Sequence, residues 1–352
     1  MSAQAIPQES AADARPQAFG PDVLSAAIRT VPEDFVVEEV LGFEPTGQGE
    51  HLFLSIEKRG ANTVWVAQQL ARWAGVAEHA VGYAGLKDRH ALTRQAFTVH
   101  LPGREPPALE TLQLEGVRVL DCNRHARKLP RGALRGNRFR LTLREVRGEA
   151  EAIARRLADI AARGVPNRYG EQRFGRDGGN LGAARELFAG RRFPREKRSI
   201  LISSARSVLF NRILGERIRQ NAWDRALPGE VFMLDGSHSV FGPQALDETL
   251  AARMAASDIH PTGALWGAGE PRSGEAVRAI EEGVAAADPA LAQGLAAAGL
   301  KQERRALRLP VRALEWSMDG EVLNLGFELA AGSYATAVLD VLGETRDASR
   351  GG

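Results

Sequence analysis

The sequence predicts an α+β fold built on a mixed, largely antiparallel central sheet. Three observations carry that expectation. Strand-like text fills much of residues 35–143 and returns from Ala306 to Leu329. Amphipathic helical text is concentrated between those regions, from Glu149 to about Gln220. The length, 352 residues, corresponds to two domains at roughly 150 residues each. With 44% hydrophobic residues the chain can fill a core, which excludes wholesale disorder.

The elements follow in order. Residues 1–21 are small and polar with Pro7, Pro16 and Pro21, and read as a flexible tail. Phe35, Val36 and Val37 form a β-prone run after the turn signal Pro32-Glu33-Asp34. His51 to Lys58 alternates through Leu52, Leu54 and Ile56, the pattern of a half-buried strand. Asn62 can cap a helix whose apolar face is Val66, Leu70 and Trp73 and whose end is Gly75. Residues 80–85 read as a short, tightly packed strand, Leu86 to Gln95 as a polar loop, and Ala96 to Leu101 as another strand. Phe139 to Leu143 is a strand, and Glu149 to Arg163 an Ala-rich helix closed by Gly164 and Pro166. Leu181 to Ala189 reads as a helix, and Ser203 or Ser204 as the cap of a further helix running to about Gln220. Residues 221–303 show little strong periodicity. The end is β-like, with a turn at Gly332 and an apolar stretch from Tyr334 to Leu342.

Charge is segregated. The net formal charge is +2, but residues 118–219 carry +16, between −6 for residues 1–117 and −7 for residues 220–303. From Cys122 to Arg144 there are eight basic residues and no acid. That density fits contacts to a phosphate backbone, and Arg173, Arg176 and the run Arg191, Arg192, Arg195, Lys197, Arg198 extend it. The single cysteine, Cys122, excludes an internal disulfide framework and fits a reducing cytoplasm. No secretory h-region is visible and no apolar run reaches the length of a membrane span.

Most catalytic classes lack their residues. No HExxH or paired-cysteine spacing suggests a structural metal, and the seven histidines are scattered. A P-loop and a GxSxG elbow are both absent. Gly175 to Asn180 precedes a helix and could hold a phosphate, though tight turns of this composition are common. The strongest candidate is the loop Gly85-Leu-Lys-Asp-Arg-His-Ala-Leu-Thr-Arg-Gln95. Lys87, Arg89 and Arg94 surround Asp88 and favour an ionised carboxylate, a fair nucleophile on a loop between strands.

Gly82-Tyr-Ala-Gly-Leu-Lys-Asp-Arg-His-Ala-Leu-Thr-Arg-Gln95 closely resembles the signature of the TruD family of tRNA pseudouridine synthases. Four further segments resemble that family in the same order: Pro32 to Glu38, Leu134 to Phe139, Gly164 to Gly175, and Ala331 to Thr336. The resemblance implies isomerisation of uridine to pseudouridine at position 13 of tRNA; the reaction needs no cofactor, and nothing in the sequence demands more than a monomer. It implies a pseudouridine-synthase-type catalytic domain over 22–163 and 309–352, interrupted by an inserted α/β domain over 164–308. By the same resemblance Asp88 is the catalytic residue. Phe35 and Asn137 are substrate contacts, Tyr334 stands where the family often has Phe, and Phe139 stands where other pseudouridine synthases carry an active-site Tyr. Arg29 falls where relatives have a Lys and could partner Asp88.

Those expectations agree with the chemistry. A base inside folded RNA must be flipped out. Phe35, Phe139 and Tyr334 could then sandwich it, and Asn137 carries both a donor and an acceptor for a uracil edge. Arg124, Arg127, Lys128, Arg131, Arg135, Arg173 and Arg176 are the expected backbone contacts, on a basic surface spanning both domains. Two other classes fit the residues less well. A non-catalytic RNA-binding protein would leave Asp88 and its basic neighbours unexplained. An RNA-directed hydrolase or methyltransferase would need a zinc signature or a glycine-rich cofactor loop that the sequence lacks.

Overall fold

In the computed structural model, which describes residues 17–175 and 178–350, the alternating text of the first half becomes one sheet. It opens with β1 (Leu24–Ile28), β2 (Phe35–Val40) and β3 (His51–Arg59). Next come α1 (Thr63–Trp73), β4 (Val81–Tyr83), β5 (Leu92–His100), β6 (Val117–His125), β7 (Gly136–Arg147) and α2 (Ala150–Arg163). The Asn62 side chain accepts from the Val64 N–H at 2.8 Å, which caps α1. Leu52, Leu54 and Ile56 pack with Val66 and Leu70 of α1 and with Phe97 and Val99 of β5. Burying each such side chain contributes about 1.5–3 kcal/mol, so this alternation orients β3. Gly82 admits no side chain, because a Cβ there would lie 2.6 Å from the Leu129 carbonyl.

Two features of this half differ from the sequence pattern. The polar loop ends early: β5 starts at Leu92, paired parallel with Val36 of β2 and antiparallel with Arg59 of β3. Pairing on both sides fixes Leu92 to Gln95 as strand despite their polarity. The strand β6 escaped the pattern because its register against β3 shifts between Ser55 and Ile56. The extra residue there breaks the two-residue alternation.

The chain then enters a second region, with β8 (Val165–Pro166), α3 (Gly179–Phe188) and α4 (Arg195–Arg219). It continues through β9 (Phe232–Leu234), β10 (Val240–Phe241), α5 (Glu248–Ala255) and β11 (Ile259–Leu265). It closes with α6 (Glu275–Ala287), α7 (Pro289–Ala297), β12 (Glu303–Ala306) and β13 (Arg308–Leu309). The helix α4 begins at Arg195 after Pro194, not at Ser203 or Ser204. Ser204 is buried within it and its hydroxyl donates to the Ile200 carbonyl at 2.9 Å, so it is no cap. A four-stranded sheet, β10-β9-β11-β12, holds this region together and is antiparallel throughout. Phe19 packs edge-on against the buried Trp223.

The last segment returns as β14 (Arg312–Asp319), β15 (Val322–Ala330), α8 (Thr336–Leu342) and β16 (Gly343–Asp347). The apolar stretch that ends the β-like text is therefore a helix, with Val338, Leu339 and Leu342 buried at helical spacing. The main sheet runs β14-β15-β7-β2-β5-β3-β6, with β1 joining β7 to β16 and β4 flanking β5. The β2–β5 and β1–β16 pairs are parallel and the others antiparallel, which is the mixed, largely antiparallel sheet expected. Among the described residues, 22–161 and 311–350 cluster as one unit, and 162–310 with 17–21 as the other.

The acids of residues 220–303 have a structural use. Glu230 pairs with Arg217 at 2.8 Å, and Asp288 takes both Arg185, at 2.5 Å, and Arg212, at 2.8 Å. Part of the +16 is thus neutralised inside its own unit.

Candidate active site

The loop between β4 and β5 is anchored along its length. The Gly85 carbonyl accepts from Gln95 Nε2 at 3.2 Å, and the Lys87 N–H donates to Thr63 Oγ1 at 3.0 Å. Thr63 Oγ1 in turn donates to Gln95 Oε1 at 2.8 Å. The Lys87 ammonium is buried against Glu39 at 2.6 Å, and Glu39 Oε2 accepts from the Ala96 N–H at 3.0 Å. Arg89 Nε donates to the Gly60 carbonyl at 3.2 Å. Both residues therefore hold the loop, Lys87 from a buried position and Arg89 from an exposed one. Asp88 sits at its apex, and its Oδ1 accepts from the His90 N–H at 2.9 Å.

The other carboxylate oxygen of Asp88 meets Arg29 Nη2 at 3.0 Å. The Asp88 side chain is 39% exposed and that of Arg29 is 9% exposed, so the cation is set from below and one side of the carboxylate stays open. Arg29 follows β1 with a left-handed φ of 55°, a conformation uncommon outside glycine. Its Nη1 donates to Asp347 Oδ2 at 2.8 Å, at the end of β16. Burial pushes the Asp347 carboxyl up, but hydrogen bonds from Ser349 and the charge of Arg29 leave it below the usual carboxylate range. The guanidinium also lies 4.0 Å from the centroid of the Phe35 ring.

Phe35 leads into an aromatic row. Its ring meets Phe139 edge-on at 6.4 Å, and Phe139 stacks on Phe327 at 5.4 Å. Register explains the alignment. Val37 and Phe327 flank Phe139 across β7, and Glu39 and Leu329 flank Asn137 two residues away on the same face. Asn137 is buried, and its Oδ1 is without a hydrogen-bond partner among the described residues. A buried amide oxygen left unpaired carries a cost, and a ligand N–H would remove it. Tyr334 lies in the turn between β15 and α8 and is 62% exposed. Among the described residues no ring contact or side-chain hydrogen bond joins it to the others. The structure thus joins Asp88, Arg29, Phe35 and Phe139 in one contact chain, places Asn137 on their sheet face, and leaves Tyr334 apart.

The basic residues divide. Arg138 pairs with Glu328 at 2.7 Å, Arg144 with the buried Asp34 at 2.8 Å, and Arg124 with Glu105 at 3.3 Å. Lys128 donates to the His79 carbonyl at 2.6 Å, and Arg131 stacks on Tyr83 with its guanidinium 3.7 Å from the ring centroid. Arg127 and Arg135 are exposed, and among the described residues no acid pairs with either. Arg173, in the other unit, donates to Ser203 Oγ at 3.2 Å and lies 5.2 Å from the Tyr169 ring. Arg176 falls outside the described residues. Groups of histidine, cysteine and carboxylate able to hold a metal are not found among the described residues. No helix there is long and apolar enough to cross a membrane.

Sequence reasoning passed over Lys58, Glu39 and Asp347. The first two carried a signal: Lys58 continues the apolar face of Leu52, Leu54 and Ile56, and Glu39 that of Phe35 and Val37. A charged residue at a buried phase of a strand calls for a partner.

Comparisons with known proteins identify the family. The family model for tRNA pseudouridine synthase D (TruD) matches residues 21–181 and 183–341. A tRNA pseudouridine synthase D of Xanthomonas axonopodis pv. citri (strain 306) is 54% identical over 353 residues, covering 95% of this chain and 96% of the relative. One from Methylococcus capsulatus is 49% identical, covering 94% and 95%. A crystal structure from Methanosarcina mazei that carries the TruD name superposes with a TM-score of 0.74 at 22% identity, covering 93% of this chain and 95% of that one; it is similar in fold.

Proposed function

The chain belongs to the TruD family of tRNA pseudouridine synthases, which isomerise uridine to pseudouridine in tRNA, and from that premise we propose that its target is the uridine at position 13 and that Asp88 is the carboxylate that acts on it. The observation that carries this reading is the Asp88 carboxylate itself. It is fixed on one oxygen by Arg29 at 3.0 Å and open on one side, on a loop whose other groups are pinned. A preorganised carboxylate of this kind needs no further ordering when the base arrives.

The isomerisation breaks the C1′–N1 bond and forms C1′–C5. One proton leaves C5 and one is taken up at N1, so atoms and electrons balance without a redox partner. The uridine must leave its stack to present both atoms. Asn137, with a buried and unpaired Oδ1, is the group we assign to the N–H edge of the uracil. Phe35 and Phe139 form the apolar wall beside it, and Arg29 holds the Asp88 carboxylate in place. Tyr334, exposed on its turn, is available to cover the base or a neighbouring one. The enzyme works as a monomer in the cytoplasm on this reading.

The test is to map pseudouridine in an unmodified tRNA transcript with uridine at position 13, beside the same transcript with cytidine there. Modification confined to position 13, and its loss in the cytidine transcript, is the expected result. Modification elsewhere in both transcripts overturns the position.

Arg127 and Arg135, which no acid pairs with among the described residues, are assigned to tRNA phosphates. Arg127→Ala and Arg135→Ala should each lower the slope of log affinity against log salt by about 1. Arg138→Ala should leave the slope unchanged, because Arg138 is committed to Glu328. Filter binding between low and moderate salt reads both, and equal slopes for all three variants would refute the division.

A further inference from the structure

Lys58 has no part in the mechanism above, yet it is 1% exposed at the end of β3. A lysine seldom reaches that depth without a role. Its Nζ donates to the Ala61 carbonyl at 2.8 Å and to the Asp88 carbonyl at 3.4 Å. The first contact ties the residue before the Asn62 cap, where α1 begins. The second holds the backbone of the very residue whose side chain is the candidate carboxylate. We propose that Lys58 is a positioning residue: its ammonium clips the Asp88 loop to the entry of α1 and fixes the carboxylate against Arg29. The proposal rests on the assignment of Asp88 above.

The geometry explains why a charged clip is used. The Asp88 carbonyl accepts from a donor that is itself buried, so the contact ties the exposed loop to the interior. An ammonium has three protons, and two are accounted for by these carbonyls. The charged groups that act on Lys58 are Asp88 and Lys87 on the loop and Glu39 on β2. Its register neighbours, Thr93 on β5 and Val117 on β6, carry no charge. Burial pushes the ammonium down to about 8, helped by Lys87 and opposed by the attraction of Asp88 and Glu39.

A neutral amine can donate less strongly and no longer attracts the Asp88 region, so catalysis should fall as pH rises through about 8. Folding stability should move the other way. Between about 8 and 10.5 the folded state has released a proton that the unfolded chain keeps, so the Lys58 contribution to stability improves with pH. A merely structural lysine would not make rate and stability diverge.

The experiment is single-turnover pseudouridine formation on saturating tRNA transcript from pH 7 to 9.5, for wild type and Lys58→Met, with circular dichroism and tRNA affinity measured on both. Pseudouridine formation by wild type at pH 7 is the control that separates failure of the family function from failure of this inference. The expected result is a wild-type rate that falls above about pH 8. Lys58→Met should be on the order of 10- to 100-fold slower at pH 7, nearly flat up to pH 9, and unchanged in tRNA affinity. A folded Lys58→Met with the wild-type rate and profile overturns the proposal. If Lys58→Met does not fold, the wild-type profile decides alone: a fall through pH 8 supports it, and a flat profile to pH 9 overturns it.

Discussion

Asp88→Asn is expected to abolish pseudouridine formation while leaving tRNA affinity within about threefold of wild type. The substitution keeps the shape of the side chain. Its amide oxygen can still accept from the His90 N–H, as Asp88 Oδ1 does at 2.9 Å, so the loop keeps its turn. The anchors at Gly85, Lys87 and Arg89 do not pass through the carboxylate. Only the charge is lost, and with it the ability to add to carbon or to take a proton. Removing a side chain that performs the chemistry typically costs a factor on the order of 10³ or more in turnover. Phosphate contacts dominate affinity for nucleic acid, and Asp88 contributes none. Measured together, turnover and affinity should therefore separate: the first lost, the second kept. A variant that loses both would place Asp88 in the binding surface, and one that loses neither would remove it from the site.

The largest effect on stability is expected from Glu230→Ala. Glu230 is 0% exposed and bridges α4 to β11. It accepts from Arg217 Nη2 at 2.8 Å, from the Thr262 N–H at 3.2 Å and from the Leu227 N–H at 3.3 Å. Burial raises its carboxyl, and the charge of Arg217 opposes that shift. Truncation leaves a guanidinium at 1% exposure with no counter-charge. Breaking a buried pair from one side costs about 3–5 kcal/mol. The urea midpoint of the variant should fall by the corresponding amount. Replacing both partners, Glu230→Leu with Arg217→Met, should recover most of the loss, because no charge is then left buried. If the single variant is as stable as wild type, water reaches this pair and its burial is misjudged.

Much of the site was legible because its parts are local. The loop around Asp88 reads as a polar turn between two strands, and each family segment keeps its own backbone shape. Phe35, Asn137 and Phe139 were visible as residues, but their alignment was not. It depends on β7 pairing with β2 on one side and β15 on the other, and β15 lies about 190 positions later in the chain. The Arg29–Asp347 contact spans 318 positions, and no local pattern announces it. Lys58 and Glu39 could have been flagged from strand phase alone. The charge map was the least direct guide. Arg138 and Arg144 looked like phosphate ligands in the sequence, whereas their acids, Glu328 and Asp34, reach them only through strand pairing and a buried turn. In the same way β6 was hidden by its bulge, and α8 by apolar text that suits either element.

The central claim is that Asp88 drives exchange of the C1′–N1 bond for C1′–C5. Release of tritium from a tRNA transcript made with uridine tritiated at C5 reports that exchange directly, since the C5 proton must leave. Wild type, incubated with no added metal or cofactor, should release one equivalent of tritium per target uridine, and Asp88→Asn should bind the transcript and release none. Tritium release by Asp88→Asn at the wild-type rate would contradict the account.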